Sequence, residues 1–149
     1  MYRSTLGAAV SHFNINSDHK DEEVSSVFDL QKGDHIVLSG WMLHPRCHAI
    51  VVETNEYTDQ IKVIRFTYAN GVVEEWLPFK QPVYKVLSHN VGRLYTVNSD
   101  LFDPDEVISR ARSKIDDSNL VYHIALNNCK TFVRWCKTGM KPADVSGYD

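Results

Sequence analysis

The sequence predicts an α+β domain, an antiparallel sheet of about four to six short strands with helices packed on one side. Three observations lead there. Between residues 35 and 87, short β-branched and apolar runs alternate with turn residues. The dipeptide Asn70-Gly71 separates two such runs, and both residues tolerate the positive φ of a tight hairpin. Beyond residue 100 the apolar spacing changes to three and four, the period of a helix.

Residues 1–27 read as a flexible lead-in, because the stretch from Asn14 to Ser26 is polar and has no sustained period. The folded domain is expected over residues 28–140, with 141–149 a polar tail. The turn at Gly33-Asp34 introduces a first strand, His35-Ile36-Val37-Leu38. His48 to Glu53, Ile61 to Tyr68, Val72 to Leu77 and Val83 to Leu87 supply four more. Tyr95 to Val97 is a further candidate edge strand, and Val121 to Leu126 reads equally as a return strand or a helix start.

Two helices are clearer. Asp103 is a cap acceptor, Pro104 suits the first helical position, and Asp105 and Glu106 place carboxylates in the positive first turn, so a helix is expected from Pro104 to about Ile115. A second is expected from Cys129 to Lys137, capped by Asn127 or Asn128 and stopped by Gly139. Its residues Cys129, Phe132, Val133 and Cys136 fall on one face.

The bulk properties narrow the function classes. With 43% hydrophobic and 23% charged residues the chain is an ordinary globular domain, so disorder is expected only near the ends. Sixteen basic against nineteen acidic residues give a net charge of -3, and no basic block is long enough to follow a phosphate backbone. Nucleic acid is a poor default partner. Three cysteines, without an apolar leader in this sequence, fit a reducing, cytoplasmic setting better than a disulfide framework. No run reaches the ~20 apolar residues that cross a bilayer, which leaves peripheral membrane contact open.

Cys129 and His48 are the candidates for chemistry. A thiol in a helix's first turn feels the positive end of the helix, which favours thiolate, and the amides there can receive an oxyanion. The bland alternative is a small core hydrophobe. His48 heads the apolar strand Ala49-Ile50-Val51-Val52, where rigid backbone can hold an imidazole across from a thiol as its base. Its bland alternative is a strand-end histidine bonded to a carbonyl. A metal site from His44, Cys47 and His48 with Cys129 or Cys136 ranks below both, since the spacing of the last two is unlike a zinc knuckle. Trp76, Phe79, Tyr84 and Tyr95 read as core or cover, whereas the loop at Trp41-Met42 either covers the sheet or touches a membrane.

Gly33-Asp34-His35-Ile36-Val37, His48-Ala49-Ile50-Val51-Val52, Asn128-Cys129-Lys130-Thr131-Phe132-Val133 and Trp135-Cys136-Lys137-Thr138-Gly139, in that order, resemble the lecithin:retinol acyltransferase (LRAT)-like family with its H-box and NC motif. The resemblance covers most of Leu30 to Gly139. It implies a circularly permuted papain-like (NlpC-type) fold. It also implies Cys129 as nucleophile and His48 as base, a phospholipid or acyl-chain substrate, and no cofactor or metal. Some picornaviral proteins carry the same H-box and NC pair without such an activity.

The sequence departs from the enzymes of the family at two places. Their second histidine, which orients the first, falls by count along Val63-Ile64-Arg65-Phe66 on Arg65, a permanent cation with no acceptor. Lys130-Thr131 stands where they read Glu-His. His89, Gln60, Thr67 and Tyr68 are candidates to replace the orienting group. Two functions follow. One is a thiol acyltransferase or phospholipase A acting on glycerophospholipids, weakened or lost through Arg65. The other is a non-catalytic cellular or viral H-box/NC protein that binds a protein or lipid partner, with RNA a partner only in the viral case. Many cellular members also end in an apolar membrane helix, whereas the segment Lys141 to Asp149 is polar.

Overall fold

The structure, a computed structural model, describes residues 21–41, 44–79, 85–89 and 101–148, without the side chains of residues 21, 41, 44, 45, 85 and 87–89. Among the described residues six strands form one antiparallel sheet: β1 (Asp21–Glu23), β2 (His35–Trp41), β3 (His44–Asn55), β4 (Gln60–Thr67), β5 (Gly71–Pro78) and β6 (Lys85–His89). Their order across the sheet is β1-β6-β2-β3-β4-β5. Two helices follow, α1 (Pro104–Arg112) and α2 (Cys129–Thr138).

Period-two alternation sorts the strand side chains onto two faces. Ile36, Leu38, Cys47, Ala49, Val51, Ile61 and Val63 pack on one, together with Val24, Val27, Leu30 and Phe79. Ile50, Val52, Ile64 and Phe66 occupy the other, where they meet Val107 and Ala111 of α1 and Phe132, Val133 and Cys136 of α2. The α+β class, with helices on one side of the sheet, is thus the one the sequence predicts.

Both helices are anchored at the head of β2. Gly33 has φ +86°, and a Cβ on it would lie 2.8 Å from Pro104 Cα, so α1 can start there only over a glycine. Lys137, in the last turn of α2, reaches back to the Gly33 carbonyl at 2.9 Å. Asp103 caps α1 and Asn128 caps α2, and Gly139 ends α2 in the left-handed conformation at φ 79°.

Several boundaries differ from expectation. Asp21–Glu23 form a strand of the sheet, and Val24 and Val27 are buried, so residues 21–27 of the expected lead-in belong to the fold. Three polar residues cannot bury themselves, but β1 needs only backbone pairing with β6 and a following apolar anchor. The first helix stops at Arg112 rather than Ile115, because Ile115 instead bridges to Val72 of β5. Val121 to Leu126 forms neither strand nor helix but a tight turn. The expected polar tail is docked: Tyr148 is 4% exposed and packs on Trp135 with ring centroids 5.0 Å apart. Residues 1–20, Met42, Tyr84 and Tyr95 to Val97 lie outside the described residues, as does the side chain of Trp41.

Candidate active site

Strand β3 is longer than its pairing on either side. Its first half, His44 to Ile50, pairs with β2, and its second half, Ile50 to Asn55, pairs with β4. Among the described residues no strand pairs with residues 44–49 on the β4 side, and the start of α2 meets the chain there. The N–H of His48 donates to Cys129 Sγ at 3.3 Å, and the Arg46 carbonyl lies 3.8 Å from the same sulfur.

Local sequence explains why the thiol arrives in this position. Asn128 Oδ1 accepts the N–H groups of Lys130 and Thr131, and Thr131 Oγ1 accepts the N–H of Asn128. This reciprocal cap puts Cys129 at the first helical residue, with the amides of the first turn around its sulfur. Beneath it Asn127, fully buried, binds the Val121 carbonyl through Nδ2 and receives the hydroxyls of Thr131 and Tyr148 at Oδ1. Thr131, one of the two departures in the NC motif, is therefore part of the cap.

The thiol is 7% exposed and has the thiol of Cys47 as a neighbour. The Cys47 thiol, opposed by burial and aided by the backbone N–H groups of His48, Lys130 and Cys129, brings Cys129 down from the ordinary thiol value to about 7. The Cys129 sulfur and burial hold Cys47 well above the ordinary thiol value, so Cys47 keeps its proton.

His48 and His35 are each 4% exposed, and His35 Nε2 lies 2.7 Å from His48 Nδ1. The register places His35 opposite Ile50, two residues from His48 on the same face of adjacent strands. Only one of the two facing nitrogens can carry the shared proton. If Nδ1–H of His48 donates to Nε2 of His35, His48 Nε2 is the lone pair that can take a proton. Tyr122 borders the site; its ring packs edge-on against Phe66 and Tyr68, and burial, with the two thiols, raises its phenol above the usual tyrosine value.

Compared with known protein families, residues 7–142 match the lecithin retinol acyltransferase (LRAT) family. The chain belongs to that family. Its α+β sheet and helices are the papain-like fold of LRAT proteins. No curated protein and no solved structure matches the chain.

In this LRAT protein the residue counted into the second histidine's place, Arg65, projects from the opposite face of β4. Ile64 and Phe66, its neighbours, face the helices as His48 does, whereas Arg65 binds the Glu75 carboxylate and lies 3.9 Å from Cys47 Sγ. Its cation is thus matched on the far side of the sheet. His35 takes the place at Nδ1 of His48.

His89 ends β6 with its backbone beside Asp21, and its side chain is outside the described residues. Gln60 lies at the far end of β4, opposite Asn55 and Pro78. Thr67 binds the carbonyl of Gly71 in the hairpin turn. Among the described residues no three His, Cys, Asp or Glu side chains converge as metal ligands would. Cys136 is fully buried in the core between α2 and the sheet.

His35 is the site residue that sequence reasoning passed over, and Cys47 entered it only as a candidate metal ligand. A signal for His35 was present: period-two alternation on two hairpin arms puts His35, Val37, His48 and Ile50 on one face. Nothing marked Cys47 as a neighbour of the Cys129 thiol, because its strand position points it to the other face and only the entry of Cys129 against the backbone of Arg46 and His48 brings the two near.

Proposed function

We propose that this LRAT protein is a thiol acyltransferase or phospholipase A that takes an acyl chain from a glycerophospholipid onto Cys129. The observation that carries this reading is the placement of Cys129 Sγ at a helix start, on the backbone N–H of the buried His48, whose ring is held by His35. The thiolate attacks the ester carbonyl, and the first-turn amide of Cys129 helps receive the oxyanion. His48 delivers a proton to the departing lysophospholipid oxygen and then activates the acceptor, water or another nucleophile, that cleaves the thioester.

The turn before Cys129 suits a lipid surface. Val121, Ile124 and Leu126 are 66%, 81% and 45% exposed, and Lys130 beside them is exposed. The turn's polar backbone is satisfied internally: His123 N–H donates to the Asn127 carbonyl, Asn127 N–H to the His123 carbonyl, and Asn128 Nδ2 to the Ile124 carbonyl. Entering the headgroup region would then expose apolar side chains without stranding backbone groups. Among the described residues no helix is long and apolar enough to cross a membrane.

The test is incubation with phosphatidylcholine vesicles, followed by intact-protein mass spectrometry and measurement of free fatty acid. An acyl adduct on Cys129, absent in Cys129→Ala, is expected. Neither adduct nor fatty acid, with biological function retained in a folded Cys129→Ala protein, would instead establish a non-catalytic H-box/NC protein.

A further inference from the structure

We infer that Cys47 and Cys129 form a peroxide-sensitive dithiol, in which Cys129 is oxidised first and Cys47 resolves it to a reversible disulfide across the gap between β3 and α2. The two thiols are close enough that each shifts the proton affinity of the other. Cys129 Sγ is bracketed by the N–H of His48 and the carbonyl of Arg46, the residues on either side of Cys47. Each cysteine is free, and each has the chemistry its role requires: Cys129 is the better thiolate, and Cys47 retains the proton that leaves with the product water.

The third cysteine makes the pairing specific. Cys136 lies two turns along α2 from Cys129, roughly 10 Å at 1.5 Å per residue, beyond the ~7 Å Cα separation a disulfide tolerates. It is also fully buried, which pushes its thiol up. Cys47 is thus the partner within reach of an oxidised Cys129.

The chemistry balances with hydrogen peroxide as the two-electron oxidant. The Cys129 thiolate attacks one peroxide oxygen, giving a sulfenic acid and, after protonation, one water. The Cys47 sulfur then attacks the sulfenic sulfur, the S–O bond breaks as the S–S bond forms, and the hydroxide leaves with the Cys47 proton as a second water. The bond itself does not depend on the proposed acyl transfer. Its consequence, a nucleophile withdrawn until a dithiol reduces it, rests on that reading.

The experiment treats the reduced full chain with hydrogen peroxide at pH 7 and maps peptides without reduction. Expected are a Cys47–Cys129 linked peptide, an intact mass lower by two hydrogens, and full reversal by dithiothreitol. Cys136→Ser should form the same bond. Cys47→Ser should instead carry a sulfenic acid on Cys129, trapped by dimedone, which proceeds to the sulfinic acid. A wild-type protein that gives only sulfinic Cys129, a bond to Cys136, links between chains, or no reaction overturns the inference. If Cys47→Ser fails to fold by circular dichroism, the wild-type and Cys136→Ser maps decide alone. A chain that forms the bond but never releases fatty acid would sink the acyl-transfer reading and leave this one standing.

Discussion

His35 Nε2 and His48 Nδ1 meet at 2.7 Å, with both rings 4% exposed. A buried imidazole pair at that distance has one proton between two nitrogens, so the tautomer of one ring fixes that of the other. The ring of His48 is therefore oriented from β2, the strand before its own, and not from β4. Because Gly33 and Lys137 tie both helices to the head of β2, the same anchor that positions α2 also positions the partner of His48.

Replacing His35 should separate orientation from binding. His35→Ala is expected to lower fatty-acid release by up to about 10⁴-fold, the loss that follows when the orienting partner of a catalytic histidine is replaced. KM should change little. His35→Gln, which keeps an acceptor and a donor, should recover part of the rate. Equal loss in both variants, or a fall confined to KM, would show that His35 only fills space.

Arg65→His puts a histidine where a count along the sequence would want one, yet it should bring no gain in turnover. Position 65 projects from the face of β4 opposite to His48, and the new ring would meet Cys47 and Glu75. The variant should also lose about 1 kcal/mol in urea unfolding, from the half-buried ion pair with Glu75. A rise in turnover would mean that β4 turns its other face to the site.

How far the sequence carries can be read from these residues. Asp103-Pro104 and Asn128…Gly139 mark helix ends because caps are chemical and local, and the NC cysteine could be set on a helix start with no tertiary knowledge. Asn70-Gly71 marks its hairpin for the same reason. The partner of His48 was not legible by counting, because a count assigns no face, and in β4 the face is decided by the register Ile50 with Ile64. Tyr148 was missed since the polar residues around it hide one aromatic ring that finds Trp135 and Asn127 only in the folded chain.

The reactivity of Cys129 should follow its lowered proton affinity. With a value of about 7, alkylation by iodoacetamide should rise through pH 7 and level off above it, and fall about tenfold per unit at more acid pH. The sign follows from the thiolate being the reactive form. Cys47→Ala removes the largest cause of the shift, so its midpoint should move up towards the ordinary thiol value of 9.0. An unchanged midpoint in Cys47→Ala would assign the shift to the backbone amides.

Tyr148 couples the end of the chain to the cap of α2. Its hydroxyl donates to Asn127 Oδ1 at 2.6 Å, and Asn127 is fully buried one residue before the capping Asn128. Tyr148→Phe deletes that donor while Thr131 Oγ1 still reaches the same oxygen at 3.2 Å, so a loss of only about 1 kcal/mol is expected in urea unfolding. Tyr148→Ala also empties the space against Trp135 and should cost about 3 kcal/mol. The two variants should differ at the site as well. With the ring gone, Asn127 loses its lid, the start of α2 loosens, and Cys129 should alkylate faster than in Tyr148→Phe under conditions where both remain folded. Equal alkylation rates and unchanged unfolding in both would show that residues 141–148 are a tail resting on the domain and not part of what holds the thiol in place.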